Sequence, residues 1–359
     1  MQLTVDIEKK LVNFTLRSSF ATDTRRFALL GASGCGKTMT LKCIAGIEKP
    51  DRGRIALGDR VLFDSEKKIN VPARDRRVGY LFQDYALFPN MTVRGNILSV
   101  AKDKTYAEDL MERFCITDVA GQYPSQLSGG QKQRTALARM LSVKPEILLL
   151  DEPFSALDNY MRTRMEHEIL DILEEFRGPA VLVTHDRNEA YRLADRIGVM
   201  DRGAVVEVQD RQEFFAHPVT VAAARLTGCK NISRIERRAD GRIFATDWGI
   251  PLSLQGLSEE ITHVGFRAHY FRFVPTDTEM TGGTKEEGLL SCELQRVIED
   301  TFSVVICFRQ EGNPSEEADS LLTWVVNNEE WERVKEHVQT GHFRLRLDPE
   351  KVMLLRNKE

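Results

Sequence analysis

Gly31-Ala32-Ser33-Gly34-Cys35-Gly36-Lys37-Thr38 fits G-x-x-x-x-G-K-[ST] at every fixed position. Residues of these types at this spacing hold polyphosphate. Gly31, Gly34 and Gly36 let the main chain bend closely around phosphate oxygens, with successive N–H groups pointing inward. Lys37 would reach the β- and γ-phosphates, and the Thr38 hydroxyl would ligate Mg²⁺. A second pair, Asp151-Glu152, closes the apolar run Ile147-Leu148-Leu149-Leu150. Asp151 would hold the Mg²⁺, while Glu152 is placed to polarise an attacking water as general base. His185 ends another apolar run, Ala180-Val181-Leu182-Val183-Thr184, and could contact the γ-phosphate. Gln83, after Tyr80-Leu81-Phe82, is a candidate sensor of metal or water. Alone, a histidine after a strand is more often structural, and a lone glutamine is a weak signal.

These side chains need strand ends and one helix start to hold them. Arg26-Phe27-Ala28-Leu29-Leu30 is apolar and strand-like, and Lys37-Thr38-Met39-Thr40-Leu41-Lys42-Cys43-Ile44 reads as a helix whose positive end faces the phosphates. The runs ending at Leu150 and Thr184 are apolar enough to be buried parallel strands. Open α/β sheets bind ligands at the carboxyl ends of such strands. The fold class is therefore α/β.

Leu127-Ser128-Gly129-Gly130-Gln131 on its own reads as a loop and helix N-cap before Lys132-Gln133-Arg134. That accounts for the serine and one glycine but not for the second. Taken with the phosphate loop upstream and Asp151-Glu152 downstream, it resembles the signature of the ATPase subunit of ATP-binding-cassette (ABC) transporters. The resemblance covers roughly residues 1 to 228. Ser155-Ala156-Leu157-Asp158 looks like the dimer-contact loop of that family, and Gln83 and His185 look like its glutamine and histidine switches. The resemblance implies ATP and Mg²⁺ as cofactors. It also implies a homodimer in which Ser128, Gly129, Gly130 and Gln131 of one subunit cap the γ-phosphate held by the other, through the serine hydroxyl, close backbones and a helix N-terminus. Further implied are integral-membrane permease subunits, indirectly an extracytoplasmic substrate-binding protein, and a peripheral place on the cytoplasmic face of the membrane. The chain departs from the family in one respect. Members usually stack adenine on an aromatic residue before the phosphate loop. Here the N-terminal hairpin looks short, around Glu8-Lys9-Lys10, and Phe14 and Phe20 read as core, so adenine stacking is unassigned.

At 359 residues two domains are expected. The division expected is 1–228 for the nucleotide-binding domain, with a helical subdomain over roughly 84–144, and 229–359 for a β-rich regulatory domain. A net charge of −4 argues against a dedicated nucleic-acid binder. No stretch approaches about 18 consecutive apolar residues, and the N-terminus lacks the regions of a signal peptide. Six cysteines without paired spacing read as reduced thiols. The segment Tyr106-Ala107-Glu108-Asp109-Leu110-Met111-Glu112-Arg113-Phe114 is helical in character, and Asp84-Tyr85-Ala86-Leu87-Phe88-Pro89 enters that region with exposed-looking aromatics. In the family this face receives a coupling helix of the membrane subunit.

After Gly228 the pattern changes to short strands, in Ile243-Phe244-Ala245-Thr246, Val264-Gly265-Phe266-Arg267 and Phe302-Ser303-Val304-Val305-Ile306-Cys307-Phe308. Ala239-Asp240-Gly241-Arg242 and the polar residues 310–319 separate them. Many strands and few helices suggest a small β-barrel. It resembles the oligonucleotide-fold-like regulatory domain that follows the cassette in oxyanion, sugar and iron importers, which points to import. Lys230, Arg267 and Arg272 are candidates for an anion site there. Segments such as Gly53-Arg54-Ile55, Val71-Pro72, Arg76-Arg77-Val78-Gly79-Tyr80-Leu81-Phe82-Gln83-Asp84 and Val93-Arg94-Gly95-Asn96 look most like molybdate-importer ATPases. Sulfate, iron, sugar and polyamine importers stay open. A soluble ABC ATPase acting on ribosomes or DNA is the alternative class. Such proteins carry two cassettes or a long coiled coil, whereas this chain has one cassette and no heptad run of that length.

Overall fold

The computed structural model describes residues 1–155, 157, 159–238, 242–254, 257–275, 288–313 and 320–357. Two members of the expected dimer-contact loop, Ala156 and Asp158, lie outside them, as do residues 239–241 and 314–319 of the two expected polar connections. The chain divides into two units, Met1–Phe214 and Phe215–Glu359.

The first unit runs β1 (Leu3–Lys10), β2 (Thr15–Thr22), β3 (Arg26–Leu30), α1 (Lys37–Ala45), β4 (Arg52–Leu57), β5 (Arg60–Asp64), β6 (Ile69–Asn70), β7 (Val78–Leu81), α2 (Val93–Leu98), α3 (Lys104–Arg113), α4 (Gly129–Ser142), β8 (Ile147–Asp151), α5 (Asn159–Glu175), β9 (Ala180–Thr184), α6 (Arg187–Leu193), β10 (Arg196–Asp201), β11 (Ala204–Asp210) and α7 (Arg211–Ala216). Its strands form one sheet in the order β6-β5-β4-β1-β2-β11-β10-β3-β9-β8-β7. From β10 to β7 all pairings are parallel. Every residue of β8 and β9 is buried, which explains why these strands read as unbroken apolar runs rather than alternating ones. Burying each of those leucines contributes about 1.5–3 kcal/mol. The chain leaves β3, travels out to β7, and returns through β8 and β9 to the flank of β3. That reversal puts the carboxyl ends of β3, β9, β8 and β7 side by side, where a doubly wound sheet binds its ligand.

The N-terminal hairpin differs from its expected form. β1 and β2 pair over eight residues, from Leu3 with Thr22 to Lys10 with Thr15, and the turn falls at residues 11–14. Glu8, Lys9 and Lys10 are strand rather than turn because they pair β2 opposite Arg17, Leu16 and Thr15; β1 also pairs β4 as far as Glu8 opposite Arg52, and Lys9 forms an ion pair with Glu48. Phe20 is buried and stacked on Phe27 at 4.9 Å, and Phe14 is half-buried against the same core. Tyr85 is also buried, contrary to its exposed-looking setting, whereas Phe88 is exposed. The Tyr85-Ala86 backbone is left-handed (φ 65° and 44°), and the Arg139 guanidinium of α4 donates to both carbonyls at 2.9 Å.

The C-terminal end of α1 is held by an unusual device. Arg76 has no exposed surface, and its guanidinium donates to the Cys43 and Ile44 carbonyls at 2.8 Å, to the Val71 carbonyl at 2.8 Å and to Asn70 Oδ1 at 3.0 Å. A cation at a helix C-terminus satisfies orphan carbonyls and complements the helix dipole. Arg76→Ala is expected to lower the unfolding free energy by on the order of 3 kcal/mol, because several buried acceptors lose their donor together. Urea unfolding monitored by circular dichroism checks this; a change within about 0.5 kcal/mol would mean that those carbonyls find other donors.

The second unit contains α8 (Val221–Leu226), β12 (Asn231–Arg237), β13 (Ile243–Ala245), β14 (Ile250–Leu252), β15 (His263–Phe266), β16 (Arg272–Val274), β17 (Leu289–Glu299), β18 (Ser303–Gln310), β19 (Leu322–Asn327), α9 (Asn328–Val338), β20 (His342–Arg346) and β21 (Met353–Leu355). They form two five-stranded sheets, β14-β13-β12-β15-β21 and β16-β20-β17-β18-β19. One core joins both sheets, with Trp248 and Phe266 from the first side and Phe308, Trp324 and Phe343 from the second. Buried Asn231 ties the sheets, donating to the Phe266 and Thr323 carbonyls and accepting from the Thr323 N–H. The helix α9 had no counterpart in the strand reading. Its Asn327 cap and the buried Trp331, Val334 and Val338 at helical spacing account for it. Arg267 donates to the Thr227 and Phe215 carbonyls, which commits it to holding chain rather than anion. Among the described residues, no helix is long and apolar enough to cross a membrane.

Candidate functional site

The phosphate loop connects β3 to α1. Gly31 must be glycine because a Cβ there would lie 2.3 Å from the Met200 carbonyl oxygen of β10. Gly36, the residue before α1, has φ 109°, which side-chain-bearing residues rarely adopt. Ala32, Ser33 and Gly34 form the exposed crest of the loop, while Gly31, Cys35 and Lys37 are buried. The Lys37 ammonium lies inside the loop and donates to the Gly31 carbonyl at 2.9 Å and the Ala32 carbonyl at 2.8 Å. A phosphate entering the loop would exchange those carbonyls for its own oxygens. Burial holds the Cys35 thiol above its ordinary range, so Cys35 packs rather than reacts.

Thr38 and Asp151 meet although 113 residues separate them. The Thr38 hydroxyl donates to Asp151 Oδ1 at 2.8 Å, and the Tyr80 hydroxyl of β7 donates to Asp151 Oδ2 at 2.9 Å. Burial pushes the Asp151 carboxyl up from the usual range, while the two hydroxyls pull it back down. A buried carboxylate beside a hydroxyl, both oxygen donors, suits a hard cation such as Mg²⁺ that takes its remaining ligands from phosphate and water.

Glu152 lies one residue beyond the end of β8 with φ 44°. That left-handed backbone costs on the order of 1–3 kcal/mol and is kept only where the surroundings determine it. Here the Glu152 N–H donates to the Val183 carbonyl at 3.0 Å, and the Ser155 N–H and hydroxyl both donate to the Glu152 carbonyl. The side chain then faces the end of β9, where His185 Nδ1 lies 3.1 Å from Glu152 Oε2. The carboxylate is largely buried and the imidazole half exposed. A carboxylate held against an exposed histidine can take a proton from water and have its orientation set by the ring. Asp186, by contrast, caps α6, accepting from the Asn188 N–H at 2.7 Å. Gln83 sits exposed beyond β7 and makes no hydrogen bond among the described residues.

The Leu127-to-Gln131 segment begins α4. Ser128 Oγ accepts from the Gln131 N–H at 3.3 Å, and Gln131 Oε1 accepts from the Ser128 N–H at 2.9 Å, a reciprocal cap. That arrangement uses Ser128 Oγ as an acceptor and leaves its proton available to donate outward. Ser128 and Gly129 are exposed, and Gly130 is buried where a Cβ would come within 2.6 Å of Met161 Cε. No hydrogen bond among the described residues joins this segment to the phosphate loop of the same chain. Gln133, one turn on, is fully buried and donates to the Pro153 carbonyl at 3.0 Å, tying the signature helix to the loop after Glu152. Sequence reasoning passed over Gln133 and Tyr80. Nothing in their local pattern marks them, since one looks like an ordinary helix residue and the other like an ordinary strand former.

The family model described as ABC transporter matches residues 15–155. A putrescine transport ATP-binding protein of Escherichia coli is 42% identical over 229 residues, 61% of this chain and 59% of that protein. An Fe(3+) ions import ATP-binding protein of Haemophilus influenzae is 35% identical over 70% of this chain and 74% of its own length. A sulfate/thiosulfate import ATP-binding protein of Rhizobium meliloti is 37% identical over 77% and 76%. Among solved structures, a dimeric ATP-binding cassette in a post-hydrolysis state bound to ADP and Pi superposes with TM-score 0.50 at 25% identity, covering 59% of this chain and 99% of the other. Similarity that spans about three quarters of the iron and sulfate/thiosulfate import ATP-binding proteins, on a sheet whose strand ends carry the phosphate loop and the carboxylate pair, places the chain in the ABC transporter family, as an ATP-binding subunit of the import kind and an ATPase coupled to import.

Proposed function

We propose that this chain hydrolyses ATP in composite sites formed by two copies of itself and so drives import of an oxyanion through membrane permease subunits. The observation that carries the reading is the row of strand ends: Lys37 and Thr38 after β3, Asp151 and Glu152 at β8, and His185 after β9, with Glu152 facing His185. In the proposed cycle the phosphate loop and Lys37 hold the β- and γ-phosphates. Thr38 and Asp151 would hold Mg²⁺, which when bound neutralises charge on the phosphate oxygens. Glu152 accepts the proton of the attacking water, His185 orients it, and Gln83 closes on the site when nucleotide binds. Ser128, Gly129, Gly130 and Gln131 of the second copy complete the site, a reading supported by the exposure of Ser128 and Gly129 and by the dimeric state of the similar cassette.

The permease, the extracytoplasmic binding protein that feeds it, and the cytoplasmic face of the membrane as the working place belong to the same proposal. The division of labour falls at about Gly228, with a helical subdomain over roughly 84–144. The two five-stranded sheets with a common core support reading the later residues as a small oligonucleotide-fold-like barrel that regulates rather than catalyses. The sulfate/thiosulfate relative supports an oxyanion cargo, while the iron and putrescine relatives keep those cargos as alternatives. The test is ATPase activity of the subunit with its permease in proteoliposomes, stimulated by binding protein loaded in turn with sulfate, molybdate, Fe³⁺ or putrescine. Stimulation by sulfate or molybdate is expected; stimulation by Fe³⁺ or putrescine alone would overturn the oxyanion assignment.

A further inference from the structure

We propose that Tyr80 is a positioning residue for the divalent cation, holding the Asp151 carboxylate in the orientation that the cation meets. The inference rests on the reading above, in which Asp151 and Thr38 hold that cation. β7 and β8 are adjacent parallel strands with Tyr80 opposite Leu149. From this register the Tyr80 phenol reaches along β8 to its last residue and donates to Asp151 Oδ2 at 2.9 Å. The other oxygen, Oδ1, already accepts from Thr38 at 2.8 Å. A carboxylate on an otherwise soft torsion is thus held at both oxygens by hydroxyls from two different elements. The Tyr80 bond is to a different carboxylate oxygen from the one that Thr38 meets, so it need not break when a cation is taken up between Thr38 and Asp151 Oδ1.

The setting leaves the carboxylate dependent on this bond for its orientation. Asp151 is 2% exposed, so its oxygens depend on protein donors in place of water. The Tyr80 ring is fixed independently of its hydroxyl. It packs against the main core and against Phe82, with ring centroids 4.3 Å apart. Removing the oxygen alone therefore leaves the ring in place and frees one side of the carboxylate. Partners that orient a metal ligand in this way are worth about 10- to 100-fold in metal affinity.

The experiment measures Mn²⁺ binding by electron paramagnetic resonance, on the full chain with a non-hydrolysable ATP analogue, for wild type, Tyr80→Phe and Asp151→Asn. Tyr80→Phe should weaken Mn²⁺ about 10-fold while leaving the analogue's affinity without metal, and the melting temperature, near wild type. If Tyr80 were merely structural, metal-free nucleotide binding and melting would fall together and Mn²⁺ affinity would not fall selectively. Should Asp151→Asn weaken Mn²⁺ while Tyr80→Phe stays within about twofold of wild type, the role of Tyr80 is overturned and the site reading stands. Should Asp151→Asn bind Mn²⁺ as wild type does, the site reading itself fails.

Discussion

Glu152→Gln is expected to bind ATP as wild type does and to hydrolyse it about 10²- to 10⁴-fold more slowly. The backbone at this position is set by the Val183 carbonyl and by Ser155, not by the carboxylate, so an amide of the same shape should occupy the same place. The amide can still hydrogen-bond water and His185 but cannot accept a proton. The strained φ of 44° is unchanged by the substitution, which keeps the comparison clean. Equilibrium dialysis with labelled ATP and single-turnover release of phosphate separate binding from chemistry. A Gln variant that hydrolyses at near the wild-type rate would remove Glu152 from the role of base.

Ser128→Arg should abolish most turnover, by on the order of 10²-fold or more, although no hydrogen bond among the described residues links Ser128 to the phosphate loop of its own chain. Two effects must be told apart. Losing the cap of α4 costs about 1 kcal/mol, a loss that Ser128→Ala also incurs. Only arginine adds bulk and charge to the exposed crest that would face the partner's nucleotide. The alanine variant is therefore expected to keep its fold and lose activity modestly, by the missing hydroxyl donor, while the arginine variant fails to form an ATP-bound dimer. Steady-state ATPase rates of both variants check this. An arginine variant with wild-type turnover would mean that Ser128 does not face nucleotide at all.

The parts legible in the sequence were those whose chemistry dictates both residue type and spacing. A phosphate cradle requires glycines where Gly31 meets the Met200 carbonyl and where Gly36 turns left-handed, so the loop declared itself. Buried parallel strands on both faces produced the apolar runs that ended in Asp151 and Thr184. What stayed hidden depends on register between distant segments. Tyr80 reaches Asp151 only because β7 pairs β8, and Gln133 reaches Pro153 only because α4 packs beside that loop. Nothing in the sequence separates Arg76 from its neighbour Arg77, yet it is buried against four acceptors. The length of the β1–β2 hairpin is hidden because the charged residues Glu8, Lys9 and Lys10 suggest a turn, whereas their pairing with Arg17, Leu16 and Thr15 continues the strand through them.

In the proposed cycle two copies of the chain sandwich ATP. Static light scattering of Glu152→Gln tests it most directly, because that variant should hold ATP without consuming it. With saturating ATP and Mg²⁺ the mass should rise from the 40.9 kDa of one chain to about twice that, and adding Ser128→Arg to the same protein should return it to one chain. A Glu152→Gln protein that binds ATP and stays at the mass of a single chain would contradict the account.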